Sequence, residues 1–185
     1  PYTDYLKSTG RWLERLIPLA DGRQMVVATL YGYSGASADP TEYVANEKLM
    51  AAAIVRMKSM NDVPYFIMTD LNVDPATSKN LQTAIQDGVA FDLVEDAYGG
   101  TPPVTYAKGG ISVHMEGTGT SRIDTIIANA AAAHTCKELR YLHQNNAAFD
   151  HVPIELTLDC DRFDDEITTS LQPAPLNIRD LNELT

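Results

Sequence analysis

The residue types that could do chemistry gather in four short stretches of this 185-residue chain. They are Tyr31 in "LYGYSG", Asp70 and Asn72 in "TDLNVDP", Asp124 in "SRIDTI", and Asp150 with His151 in "FDHVPI". Carboxylates and an imidazole move protons near neutral pH, and carboxylate oxygens also suit hard divalent cations. Each stretch also has an ordinary explanation. "DxN" is good turn chemistry, Tyr31 could be a rim tyrosine, Arg122 and Asp124 could be a surface pair, and an Asp-His pair at a loop end is usually bonded locally.

The elements that must position these groups can be read from periodicity. "RWLERLIPL" (11–19) reads as a strand, "ADG" as a hairpin turn, and "QMVVATLYGY" (24–33) as an apolar strand. Asp39 followed by Pro40 makes a helix start, and Tyr43, Met50, Ile54 and Met57 recur at helical spacing to about Met60. "VPYFIM" (63–68) reads as a buried strand, and a second helix spans Thr77 to Gly88. A turn-rich region follows, with short strands around Thr105 and Ile111; "RIDTIIAN", "CKELRYLHQN" and "VPIELTL" read as three more strands. Several strands with two clear helices predict an α+β layered domain with a mixed or antiparallel sheet and a helix on an outer face. Tyr31, Asp70, Asn72, Asp124, Asp150 and His151 all fall at strand ends, where one rim of a sheet could gather them.

Composition limits the alternatives. At 44% hydrophobic and 21% charged residues the chain is an ordinary globular sequence, most simply one domain. No apolar run is long enough to span a membrane, and no signal peptide is visible. Cys136 and Cys160 form no CxxC or Cys/His cluster, so neither a zinc site nor a disulfide framework is expected, and an intracellular setting follows, nucleus or cytoplasm undistinguished. His114, His134 and His143 read as surface or loop residues. The formal net charge of −11 runs against nucleic-acid binders, which gather lysine and arginine. An anionic substrate would need a local basic patch, a metal ion, or both. Much of the acidic excess lies in "DCDRFDDE" (159–166), beyond which the pattern dissolves into a tail or docking extension (159–185).

The ordered series of a strand ending in Tyr31, Thr69-Asp70-Leu71-Asn72, Arg122-Ile123-Asp124 and Phe149-Asp150-His151 resembles the endonuclease/exonuclease/phosphatase superfamily over 11–158. Its pattern is a tyrosine strand, "GDxN", "R-[LIV]-D" and "SDH". The resemblance implies a DNase I-like two-layer β-sandwich with flanking helices and cleavage of phosphodiester or phosphomonoester bonds with magnesium (manganese as a substitute). It also implies roles. Asp70 would orient or deprotonate the attacking water, and Asn72 would donate to phosphate or water. His151 would donate to a phosphate oxygen with Asp124 holding its tautomer, Tyr31 would contact phosphate, and Asp150 would help bind the metal.

Measured against that pattern, an early "N" and a "QE" glutamate have no counterpart; Glu14 does not match, and "PYTDYLKSTG" is too short to hold the missing strands and helices. The resemblance therefore implies only the C-terminal half of the domain plus the acidic tail. Thr69 stands for the usual glycine and Phe149 for the usual serine. Two readings follow. One is a metal-dependent phosphodiesterase, an endonuclease of retroelement or abasic-site type, acting on nucleic acid or another phosphodiester. The other is a catalytically inactive relative serving as a structural subunit. In either, another polypeptide could cover the exposed face of half a sandwich.

Overall fold

Alternation of apolar and polar residues sets the first hairpin. Trp12–Pro18 (β1) pairs antiparallel with Gln24–Tyr31 (β2), with Trp12 opposite Leu30 and Pro18 opposite Gln24. The computed structural model describes residues 2–19, 22–60, 62–106, 121–142 and 150–164. Ala20 and Asp21 of the expected "ADG" turn, Ile111, His114, His143, Phe149 and residues 165–185 of the tail lie outside them.

β2 connects to Tyr65–Asp70 (β3) through the helix Pro40–Lys58 (α2), so β2 and β3 run parallel. The expected cap is present: the Asp39 carboxylate accepts from Thr41 N–H at 2.8 Å, and Pro40 fills the first helical position, where its missing N–H costs nothing. Leu49, Met50, Ala52, Ala53, Ile54 and Met57 bury one broad face of α2, the alanines letting its backbone lie close to the sheet. After the short 3-10 turn Pro75–Thr77 comes Lys79–Gln86 (α3), capped by the Ser78 hydroxyl. Phe91–Asp92 (β4) leads into Leu93–Tyr98 (α4), and Asp124–Ala128 (β5) returns antiparallel to β3. The result is a five-stranded mixed sheet in the order β1-β2-β3-β5-β4. Ala130–Thr135 (α5) then leads to Cys136–Tyr141 (β6), which pairs with Ile154–Leu158 (β7) in a separate two-stranded sheet. The last described element is a 3-10 turn at Cys160–Asp164.

Two cores hold these layers. On one face, α2 and α3 pack on Val26, Ala28, Tyr65 and Ile67; on the other, β6, α4 and Val152 close over Phe66, Ile126 and Ala128. Glu14, on the α2 face of β1, ties the layers: Arg56 donates to both its oxygens (2.9 and 2.6 Å) and Tyr65 Oη donates at 2.7 Å. The Arg56 guanidinium bonds hold its carboxyl below the usual range against the opposing effect of burial. Glu14 is thus a structural residue.

The first ten residues form one short helix, Tyr2–Ser8 (α1), anchored by the fully buried Leu6, whose burial contributes roughly 2 kcal/mol. Two expectations need correction. The "two clear helices" are joined by α4 and α5, each too short to show a helical period but started by a capping side chain, Asp92 and Asn129. And the strand expected at Thr105 is a single bridging position, Tyr106, opposite Ser121 and His151. Leu13 (55% exposed) and Met68 (41% exposed) project from the sheet side opposite α2.

Candidate active site

Strand register assembles the site. Tyr31 is opposite Asp70, and Asp70 is opposite Asp124, so three side chains from β2, β3 and β5 stand in one row on the sheet face away from α2. This row lies at one end of the sheet, where β2 and β3 both finish.

Beyond β3 the chain turns sharply. Asn72 sits in the left-handed region (φ 54), which asparagine tolerates better than most residues. Its backbone N–H donates to Asp70 Oδ1 at 3.0 Å, and its amide donates to Gly32 O at 3.2 Å. Gly32 has to be glycine: a Cβ there would lie 2.3 Å from the Leu71 carbonyl oxygen. Gly32 N–H also donates to Asp70 O at 2.6 Å, which joins the ends of β2 and β3. Asn46, buried in α2, locks the junction from behind, accepting from Tyr33 N–H at 2.6 Å and donating to Leu71 O at 2.5 Å. Thr69, in place of the family pattern's glycine, is buried and donates its hydroxyl to Thr125 O on β5 at 3.1 Å.

His151 completes the group from the loop before β7. Its Nδ1 lies 2.9 Å from Asp124 Oδ2, and its Nε2 4.0 Å from Asp70 Oδ2. An ionised carboxylate only accepts, so Nδ1 carries the hydrogen and Nε2 faces Asp70. One water or phosphate oxygen between Nε2 and Asp70 could touch both. The Tyr106 ring packs against the imidazole, centroids 5.0 Å apart.

Burial dominates the electrostatics of the two acids. It raises the Asp70 pKa above the ordinary carboxylate value, opposed by the Asn72 N–H and His151 and reinforced by Asp150. It likewise raises that of Asp124, opposed by the Thr105 hydroxyl and His151. For His151 burial works the other way, disfavouring the charged ring, but the carboxylates of Asp124, Asp70 and Asp150 together outweigh it and its pKa is raised.

These residues line a cleft of about 830 Å³ whose walls include Tyr31, Ser34, Asp70, Asn72, Tyr106, Ser121, Asp150 and His151. No lysine or arginine is among the described lining residues. Asp70, Asp124 and His151 each place a ligand atom within 4.8 Å of the others, a grouping able to hold a metal ion. Asp150, expected as the metal ligand, is exposed on the cleft wall and is not in that grouping.

Five of the six expected residues, Tyr31, Asp70, Asn72, Asp150 and His151, thus line this cleft, and the sixth, Asp124, is bonded to His151 beside it. Arg122 of the same motif stands apart, buried against Asp92 and 3.7 Å from Glu95. Sequence reasoning missed four supporting residues. Asn46 is a polar residue on the apolar side of α2, a signal that spacing with Tyr43 and Met50 could have exposed. Arg11 donates to Gly32 O at 2.7 Å and stacks on the Tyr33 ring at 4.0 Å. Thr105 and Tyr106 sit in a turn-rich stretch with no periodicity to single them out.

No protein-family model and no curated protein matches the sequence. Among solved structures the chain resembles a 3'-5' exonuclease (NExo) from Neisseria meningitidis, with a TM-score of 0.59 and 18% identity over 80% of this chain and 70% of that one. It also resembles the AP endonuclease LMAP from Leishmania major, with a TM-score of 0.62 and 11% identity over 80% of this chain and 54% of that one. A third is a mannosyl-6-phosphatase from Bacteroides thetaiotaomicron, with a TM-score of 0.56 and 18% identity over 80% of this chain and 56% of that one. The chain thus spans little more than half the length of two of these proteins. Its fold is the DNase I-like fold that these proteins share.

Proposed function

We propose that this chain carries a phosphoester-hydrolysing site dependent on a divalent cation, with endonucleolytic cleavage of a phosphodiester as the specific activity. The observation that supports it most is the convergence of Asp70, Asp124 and His151, from three separate segments, on one cleft. Proteins of similar fold include nucleases and a sugar phosphatase.

Hydrolysis at phosphorus needs a water held for in-line attack and donors on the non-bridging oxygens. Asp70, whose burial makes it a stronger base than an ordinary aspartate, accepts the water's proton as the oxygen bonds to phosphorus and the ester P–O bond breaks. His151, whose pKa its carboxylate neighbours raise against the effect of burial, would donate Nε2–H to a phosphate oxygen, while Asp124 holds Nδ1–H. Asn72 and Tyr31 are placed to donate to the same phosphate from the cleft wall.

A divalent cation fits this donor set. The cleft offers an anionic substrate no described lysine or arginine, and its oxygen-rich lining suits magnesium or manganese. Asp150, on the cleft wall beside Asp70, would help hold it, and when bound it would supply positive charge to the phosphate oxygens.

The exposed Leu13 and Met68 favour a second reading, in which the same face docks a partner polypeptide and the chain acts as a structural subunit. Incubation of the protein with plasmid DNA, abasic-site DNA and a generic phosphodiester, with magnesium and with EDTA, separates the two. Magnesium-dependent cleavage supports hydrolysis. No cleavage of any substrate, with recovery in a stable complex, supports the subunit.

A further inference from the structure

We infer that Thr105 is the positioning residue of the Asp124–His151 pair, holding both partners at once and fixing the direction of the imidazole. The inference deepens the proposed hydrolysis and rests on it only for the activity measured below.

Thr105 is completely buried. Its Oγ1 accepts from Ile123 N–H at 3.0 Å and from Asp124 N–H at 3.1 Å, at the start of β5. A hydroxyl has two lone pairs and one hydrogen, so both acceptor sites are used and only the proton remains. That proton is the one left for the Asp124 carboxylate, whose charged form the hydroxyl favours. The main chain of the same residue holds the other partner: Thr105 O accepts from Val152 N–H, next to His151, at 2.8 Å. Thr105 N–H in turn donates to Ser121 O at 3.0 Å.

One residue therefore contacts both segments of a pair that lies 27 positions apart in sequence. Thr105 Oγ1 pins the Asp124 backbone and Thr105 O pins the residue after His151, so the Asp124 carboxylate and the imidazole are presented to each other in one direction. Without the hydroxyl, the carboxylate can turn from the ring, and the neutral imidazole can place its hydrogen on Nε2 instead. Serine supplies the same three bonds; valine supplies none of them with the same shape.

The experiment compares the protein with its Thr105→Val and Thr105→Ser variants. Long-range ¹H–¹⁵N NMR on the alkaline plateau of the His151 titration, where the imidazole is neutral, reads its tautomer without any substrate. The parent protein and Thr105→Ser should show the Nδ1–H form, and Thr105→Val a mixture with Nε2–H. In magnesium-dependent phosphodiester cleavage, Thr105→Val should lower kcat roughly 10- to 100-fold, the range typical of lost supporting hydrogen bonds, with KM nearly unchanged. Thr105→Ser should restore it. Thr105→Cys, a weak donor of similar size, replaces Thr105→Val if that variant does not fold, and should also shift the tautomer. An Nδ1–H tautomer unchanged in Thr105→Val, or in Thr105→Cys where that variant replaces it, overturns the inference. If the parent protein cleaves nothing, the proposed hydrolysis fails while the tautomer still decides the role of Thr105.

Discussion

Asp70 and Asp124 stand directly opposite one another on β3 and β5, two carboxylates paired across a ladder where like charges repel. Packing alone would not favour that arrangement. His151, with one nitrogen toward each acid, offsets the repulsion and gives the pair a use.

Replacing Asp70 by asparagine should separate stability from activity. The repulsion disappears, so the fold should gain roughly 0.2–1 kcal/mol in urea unfolding near neutral pH. Phosphodiester cleavage should fall by about 100-fold or more, because the amide cannot accept the water's proton. A stable variant with parental activity would remove Asp70 from the proposed base role.

His151→Ala should lower kcat by roughly 100- to 10,000-fold, the range of a lost acid–base group. It should also destabilise the protein, because Asp124 would then keep a largely buried charge without its imidazole. Thermal unfolding alongside the rate assay measures both.

The pH dependence of stability has a defined sign. The His151 pKa is raised above 6.5 in the fold, so the folded state holds that proton more tightly than the unfolded chain. The stabilisation is complete below 6.5 and fades as pH rises through the higher folded value. Urea midpoints of the parent protein and His151→Asn should therefore differ most at mildly acidic pH and converge as the solution becomes alkaline. A gap that widens toward alkaline pH would contradict the geometry.

Magnesium or manganese should raise the melting temperature in a concentration-dependent way. Saturation to about 100 times Kd is worth about 2.7 kcal/mol. Asp150→Ala, outside the three-residue grouping, tests whether this acid contributes. If it does, the variant needs more cation for the same shift; an identical titration confines binding to Asp70, Asp124 and His151.

Arg122 should behave as a structural residue. It is buried against Asp92, whose other oxygen accepts from the Thr125 hydroxyl at 2.5 Å. Arg122→Met should cost about 3–5 kcal/mol by leaving Asp92 uncompensated, and the double change Arg122→Met with Asp92→Leu should recover part of that loss. Denaturant unfolding of the three variants forms the cycle.

Much of this was readable in the residues. Strands such as 24–31 and 65–70 declare themselves by apolar runs, and α2 by the Asp39–Pro40 start. The grouping of Asp70, Asp124 and His151 followed from motif order and strand ends. What escaped was set by tertiary contact alone. Leu6 turns a short polar segment into a docked helix, and Thr105 matters only because β5 and the His151 loop meet on it. The Arg122 of "SRID" looked like part of the site motif, but which side of a strand end a long side chain takes is decided by its partner, here Asp92.

The lack of lysine and arginine among the described residues of the cleft wall also has a kinetic consequence. A chain of net charge −11 repels a polyanion before any contact forms, so diffusional encounter is slowed where basic nucleases accelerate it. Salt screens that repulsion over about 10 Å at 0.1 M. Association with an anionic substrate should therefore quicken as ionic strength rises, the reverse of the usual salt effect on nucleic-acid binding.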